Sequence, residues 1–154
     1  MKKLIYISGP ITDNKTGQPR EGWEKEFQEA EEYLRGLGFE VISPDTIAKN
    51  AEEQWRDVIH AGQTIPIPRW YYLYWCIEEL KYRIGCGEIL GLYVIGDLHD
   101  IPYSYGTMCE INFALAAGLP VWAKVLSGRR MDNMLWTRPG YTIEETAEKT
   151  KTTN

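Results

Sequence analysis

Short apolar runs separated by longer amphipathic stretches give this chain its pattern. Four runs have the length and the β-branched or aromatic content of buried strands: residues 2–8, 39–43, 88–95 and 119–126. The third run is apolar enough to lie at the centre of a sheet. Each run is therefore predicted to be a β-strand.

Helical spacing fills the intervals between these strands. Residues 20–36 place apolar side chains on one side and charged ones on the other, and residues 69–83 form an aromatic-rich helix. Residues 106–117 form a third helix, which ends at a glycine. Shorter helices are predicted at about 51–60 and 142–149.

The alternation of strands and helices predicts a doubly wound α/β fold, flavodoxin-like or Rossmann-like, with a parallel sheet of four to five strands flanked by helices. We expect residues 1–135 to form this domain and residues 136–154 to form a C-terminal extension with a frayed end. Ligands in such sheets bind outside the carboxyl ends of the strands, so the loops after the strands are the candidate site.

Composition suits one soluble domain. The chain has 154 residues, 44% of them hydrophobic, and its net charge of −5 argues against non-specific binding of nucleic acid. No apolar run is long enough to cross a bilayer, and the amino terminus is too short for a signal peptide. Cys76, Cys86 and Cys109 are interpreted as reduced, partly buried thiols of a cytoplasmic protein. No metal site is expected, because His60 and His99 share no ligand spacing with any pair of these cysteines.

Three segments fall at the predicted carboxyl edge of the sheet: residues 8–11, 96–100 and 104–110. Gly9 lets a ligand approach the backbone closely. The turn at 104–107 offers hydroxyls and backbone N–H groups at a helix start, an arrangement suited to phosphate.

Glu110 has two interpretations from the residues alone. It lies within the first two turns of the predicted helix, where the helix dipole favours a carboxylate. It is also placed to face a ligand as a nucleophile or an acid–base group. Asp97 or Asp100 on the preceding loop would supply a second carboxylate, and two carboxylates across one site suit glycosidic cleavage.

Aromatic residues are concentrated between residues 55 and 75, at the end of a long connection that begins at residue 44. They suit a core or an oligomer interface, and they equally suit a wall that stacks on a flat ring. Trp55, Trp70 and Tyr71 are the candidates for stacking on a base.

Two short motifs carry a family resemblance. One is the stretch Tyr6-Ile7-Ser8-Gly9-Pro10-Ile11, and the other is Ser104-x-Gly106-Thr107-x-x-Glu110, followed by Ala114 and Gly118. Together they resemble the nucleoside 2-deoxyribosyltransferase superfamily, which includes the 2′-deoxynucleoside 5′-monophosphate N-glycosidases. The similarity in the order of elements covers most of residues 3–135.

The resemblance implies an enzyme of nucleotide metabolism that needs no cofactor and forms a homodimer. Glu110 would attack C1′ of the deoxyribose and form a glycosyl-enzyme intermediate, which water releases in a hydrolase and a second base releases in a transferase. Asp97 is expected to be the acid near the base. The expected substrate-binding residues are Tyr6, Ser8, Gly9, Pro10, Ile11, Ser104, Gly106, Thr107 and Ser127.

The residue six positions before the glutamate separates the two activities in that superfamily. It is usually an aspartate in the transferases and a serine in the monophosphate hydrolases, and this chain has Ser104. An aspartate would repel a phosphate, whereas a hydroxyl beside backbone N–H groups would bind one. The segment from Ser127, with Met131 and Met134, resembles the hydrolase segment whose serine reaches the phosphate from a neighbouring subunit.

The chain also departs from the hydrolases. They carry an arginine shortly after the first glycine turn, where this chain reads Thr12-Asp13-Asn14, and their acid before the third strand is matched loosely by Glu78 or Glu79. The favoured function is cleavage of the N-glycosidic bond of a (deoxy)nucleoside 5′-monophosphate. The alternatives are base exchange between deoxynucleosides and a non-catalytic nucleotide-binding module.

Overall fold

Residues 3–13, 15–59, 66–132 and 137–152 are described by a computed structural model of the chain. Over these residues the strands are β1 (Leu4–Ser8), β2 (Glu40–Ile42), β3 (Ile89–Val94), β4 (Val121–Ala123) and β5 (Arg129–Arg130). The helices are α1 (Trp23–Gly36), α2 (Pro44–Glu53), α3 (Arg69–Gly85), α4 (Tyr105–Ala116) and α5 (Ile143–Thr152). A π-helical segment, Gln54–Ile59, continues α2, and short 3-10 turns occupy Ile101–Tyr103 and Lys124–Leu126.

The strands form one sheet in the order β2-β1-β3-β4-β5. β1 pairs in parallel with β2 and β3, β3 pairs in parallel with β4, and β5 runs antiparallel to β4. The predicted α/β fold class is confirmed, and the fifth strand joins as a short antiparallel edge. Strand order reverses between β1 and β3, which is the point where ligands bind in open α/β sheets.

Alternation along the strands builds a core on each face of the sheet. Tyr6 and Leu92 point to one face, where buried residues of α2, α3 and α4 cover them. Ile7 and Trp122 point to the opposite face, which α1 and α5 cover. The result is a sheet between two layers of helices.

Two predicted elements differ in extent from the observed ones. The connection after β2 was expected to be irregular up to residue 51, but α2 begins at Pro44, whose fixed φ suits the first turn of a helix. The fourth predicted strand ends early, because the chain reverses through Ser127, with a φ of 56°, to add β5. His60, Asn14 and Met134 lie outside the described residues.

The carboxyl ends of β1 and β3 pack together with no room for side chains. A Cβ atom on Gly9 would lie 2.6 Å from Cγ1 of Ile95 and 2.9 Å from its carbonyl oxygen. Gly96 has a φ of 107°, and a Cβ there would lie 2.8 Å from Cδ of Pro10. This contact fixes the two loops against each other at the reversal of strand order.

Arg20 holds the loop after β1 in place. Its Nε and Nη2 donate to the carbonyl oxygen of Pro10 at 3.0 and 2.6 Å. Nη2 also donates to the Glu26 carboxylate on α1 at 2.9 Å. The backbone N–H of Arg20 donates to the carbonyl of Ile11 at 2.7 Å, so the loop is tied to α1 as well as to β3.

The described chain after residue 137 returns to the sheet. Ile143 and Ala147 of α5 are buried in the same cluster as Phe27 of α1. Trp122 Nε1 donates to the carbonyl oxygen of Tyr141 at 2.9 Å. The segment expected as an extension thus shares a core with α1.

The three cysteines carry free thiols. Cys76 is partly buried as expected, whereas Cys86 and Cys109 are exposed, so the expected burial is wrong for these two. In the described parts of the chain, no helix combines the length and the apolar character needed to cross a bilayer.

Gly91 provides a test of the packing in the sheet. A Cβ there would lie 2.5 Å from the carbonyl oxygen of Pro120 and 2.6 Å from Cζ3 of Trp122. We expect Gly91→Ala to lower the free energy of unfolding by about 1–3 kcal/mol, because backbone on the neighbouring strand cannot move aside. Gly36→Ala is the control: Gly36 is helical, and outside its own helix backbone no atom lies within 4 Å of its Cβ position, so this variant is expected to be as stable as wild type or slightly more so. Urea unfolding measures both, and equal stability of the two variants would contradict the packing.

Candidate active site

Ser104 caps the start of α4. Its backbone is extended, and its Oγ accepts a hydrogen bond from the N–H of Thr107 at 3.4 Å. Serine is a favoured residue at this position, because its hydroxyl satisfies an N–H that the helix leaves without a partner. The Ser104 and Thr107 hydroxyl oxygens lie 2.8 Å apart, so two hydroxyls lie together beside the first N–H groups of α4.

Glu110 lies five residues beyond the first residue of α4, against the sheet, and is 5% exposed. Ser8, at the end of β1, donates its hydroxyl to Glu110 Oε1 at 2.9 Å. Glu110 Oε2 and the Tyr6 hydroxyl are both buried and have no partner at hydrogen-bonding distance among the described residues, although the hydroxyl is close enough to lower the pKa of Glu110. Leaving a buried polar atom without a partner is costly, so Oε2 is open to an interaction with a ligand.

Tyr6 and Cys76 are the other polar neighbours of this carboxyl. Tyr6 precedes Ser8 by two residues, so alternation along β1 turns both toward α4. Burial, followed by the charge of Glu110, raises the pKa of the Tyr6 hydroxyl well above its ordinary value. The same two causes raise the pKa of the Cys76 thiol to about 12. Both groups therefore stay neutral around Glu110 at neutral pH.

Burial raises the pKa of Glu110 from 4.5 to about 7, and the hydroxyls of Tyr6 and Ser8 oppose the rise. A helix dipole alone would favour the ionised carboxylate and lower its pKa. Glu110 lies beyond the first turn of α4, where the dipole effect has faded, so desolvation dominates. The carboxyl changes charge within the neutral range, as acids at catalytic sites often do.

A cavity of about 380 Å³ opens beside Glu110. Its volume is in the range of sites for small molecules. The described lining residues come mainly from the loop after β1, one face of α3 and the start of α4. They are Gly9, Ile11, Thr12, Pro44, Arg69, Trp70, Tyr72, Leu73, Cys76, Ser104, Tyr105, Gly106, Thr107 and Glu110.

Most of the residues singled out in the sequence meet at this cavity. Gly9, Ile11, Ser104, Gly106, Thr107 and Glu110 line it. Ser8 and Tyr6 are fully buried and act on the carboxyl of Glu110. Pro10 is buried against Gly96, where it supports the loop.

Asp97, expected near the leaving base, lies apart from this cavity. It is exposed and lines a separate cavity of about 220 Å³, together with Arg20 and Glu26. The reason is geometric: Asp97 follows the glycine that packs on Pro10, and its cavity opens toward α1, whereas α3 and α4 enclose Glu110 on the other face.

Ser127 also lies apart from Glu110 within one chain. It is exposed on the turn between β4 and β5. There it lines a cavity of about 370 Å³ with Tyr33, Tyr93 and Glu144, on the face that α1 and α5 cover.

The aromatic residues divide between the two roles considered for them. Trp55 and Tyr71 are buried in a small core with ring centroids 4.8 Å apart. Trp70 is 64% exposed and lines the cavity. Trp70 is therefore the one of the three candidates placed to contact a ligand.

The sequence pattern does not mark α3 as a wall of the cavity. Arg69, Tyr72, Leu73 and Cys76 follow the spacing i, i+3, i+4 and i+7, which places them on one face of a helix. That spacing is the signal that would have found them, but in an aromatic-rich helix it equally predicts a core face.

Comparison with known proteins gives a family match and a structural similarity. Residues 3–65 match a family described as a domain of unknown function, DUF4406. A solved structure of a 2-deoxyribosyltransferase from Bacillus psychrosaccharolyticus is similar over 78% of this chain and 70% of that chain, with 21% sequence identity and a TM-score of 0.46. No curated protein matches. Similarity at this level does not identify an activity.

The buried carboxyl makes the stability of the protein depend on pH. The pKa of about 7 lies above the ordinary 4.5, so the folded state resists ionisation and its stability falls as pH rises between these two values. We expect Glu110→Gln, which removes this ionisation, to gain about 3 kcal/mol over wild type across that interval. Urea unfolding at several pH values measures the gain. Glu24→Gln, on the exposed side of α1, is the control, and a gain independent of pH would contradict the raised pKa.

Proposed function

We propose that the chain cleaves the N-glycosidic bond of a (deoxy)nucleoside 5′-monophosphate and releases the free base, with Glu110 as the nucleophile. One observation carries the proposal. A carboxyl on the wall of a ligand-sized cavity has one oxygen held by Ser8 and the other without a partner among the described residues. This arrangement fixes the carboxyl and leaves one oxygen for a bond to a substrate carbon.

The reaction takes two steps. Glu110 Oε2 forms a bond to C1′ of the sugar while the C1′–N bond breaks, its electron pair leaves with the base, and the base takes a proton from water. Water then attacks C1′, the bond from C1′ to Oε2 breaks, and the carboxylate is restored as a proton passes to solvent. Ser8 holds Oε1 throughout, so the free oxygen keeps its direction.

The start of α4 supports a phosphate on the substrate. Ser104 and Thr107 present hydroxyls beside the first N–H groups of the helix, and both residues line the cavity with Glu110. Helix N-termini bind phosphate through such groups. An aspartate at position 104 would weaken phosphate binding, because its negative charge would repel the phosphate.

The proposal includes a homodimer. Ser127 is exposed on a turn away from Glu110 of its own chain. It could therefore contact a phosphate bound beside Glu110 only when that site belongs to a second copy of the chain. This is the role that the resemblance assigns to the matching serine.

Release of free base tests the proposed activity. The protein is incubated with the 2′-deoxynucleosides of the four DNA bases and with their 5′-monophosphates, with and without an added second base, and products are separated by chromatography. We expect free base from the monophosphates and loss of at least about 1,000-fold in rate for Glu110→Gln, because the nucleophile is removed. Glu24→Gln should keep the wild-type rate. Base exchange with plain nucleosides would support the transferase alternative instead, and binding without any turnover would support a nucleotide-binding module.

The pH profile tests the role of Glu110 within that reaction. A nucleophile must be ionised, and the pKa of this carboxyl is raised to about 7. We therefore expect kcat/KM to rise with pH through the neutral range and to level off above it. A fall over the same range would mean that the protonated carboxyl is the active form, as for a general acid, and would contradict attack on C1′.

A further inference from the structure

We infer that Arg69 binds the anionic group of the substrate and thereby selects a nucleotide over a nucleoside. The inference rests on the proposed function and names a residue that the sequence motifs do not contain. It also answers the missing arginine after the first glycine turn, because the positive charge at this cavity comes from α3 instead.

Arg69 is the one cationic side chain among the described lining residues of the cavity. It is exposed at the first position of α3, and no carboxylate or hydrogen-bond acceptor among the described residues pairs with it. Most other described arginines differ: Arg20, Arg35, Arg56 and Arg83 each form an ion pair. A guanidinium that is left without an anion beside a cavity is suited to bind one from a ligand.

Arg69 and Glu110 stand at separate places on the cavity wall. The pKa of Glu110 is set by burial, Tyr6 and Ser8, and Arg69 is not among its causes. Arg69 and Glu110 line the same cavity without pairing. One part of the cavity is therefore cationic, at Arg69, and another part contains the carboxyl of Glu110. A substrate with an electrophilic carbon and an anionic group on one sugar matches both parts.

The geometry of α3 gives the separation. Arg69 and Cys76 line the same cavity from one helix face, seven positions apart, which is about 10 Å along the axis. Cys76 lies beside Glu110, as the effect of that charge on its pKa shows. Arg69 is therefore about two turns of helix from the carboxyl, and its long side chain can cover a phosphate carried on the 5′ carbon of a sugar whose C1′ lies at Glu110.

Ser104 and Arg69 complement each other in this arrangement. The Ser104 and Thr107 hydroxyls and the N–H groups of Tyr105 and Gly106 can donate neutral hydrogen bonds, and the guanidinium adds charge. Ser104 and Arg69 line the cavity from different helices. A phosphate held by both would distinguish a nucleotide from a nucleoside.

Binding separates this inference from the proposed reaction. In the Glu110→Gln background, which does not turn over, calorimetry compares the dissociation constants of 2′-deoxynucleoside 5′-monophosphates and of the matching deoxynucleosides. We expect Arg69→Gln to weaken binding of the monophosphates by about 10- to 100-fold and to change binding of the nucleosides less than about twofold. Arg69→Lys should restore part of the loss, because it keeps the charge without the guanidinium fork.

Arg35→Gln is the matched control, since it removes the same charge from an exposed arginine on α1, which packs on the opposite face of the sheet. Unchanged monophosphate affinity in Arg69→Gln, equal weakening for both ligand classes, or no binding of either class would overturn the inference. Base release by the wild-type protein is measured separately. If no base is released while Arg69 still discriminates the monophosphates, the proposed reaction fails and the inference stands.

Discussion

The close approach of β1 and β3 at their carboxyl ends is the contact on which the site depends. Gly9 packs against Ile95 with no space for a Cβ atom. This contact fixes the direction in which the chain leaves β1 and the position of Ser8 at the end of the strand. The position of Ser8 brings its hydroxyl within hydrogen-bond distance of the Glu110 carboxylate on α4. A side chain at either glycine of this contact would displace the loop and, with it, the partner of the carboxyl.

Desolvation raises the pKa of the Glu110 carboxyl. Packing α4 onto the sheet removes water from Glu110, and only one of its oxygens receives a described protein donor. The neighbours are neutral, because burial also raises the pKa of the Tyr6 and Cys76 groups. The low polarity that makes this charge costly is the same property that would strengthen its interaction with a developing positive centre on a sugar.

The sequence predicts elements better than it predicts cavities. Apolar runs and helical spacing identify β1 to β4, α1, α3 and α4, because the periodicity of burial is local information. β5 has two arginines and no apolar pattern, so only the reversal at Ser127 reveals it. Glu110 was found through its motif, whereas Arg69 and Asp97 depend on which face each loop or helix turns toward the sheet, and that is decided by tertiary contacts.

The hydrogen bond between Ser8 and Glu110 joins residues 102 positions apart in the chain. During synthesis the first strand therefore leaves the ribosome long before its partner carboxyl exists, and the site cannot assemble until α4 has emerged. The segment that matches the family model, residues 3–65, ends before α4 begins. A relative that shares only this segment shares the lining from Gly9 to Pro44 and does not include the segment that carries Glu110.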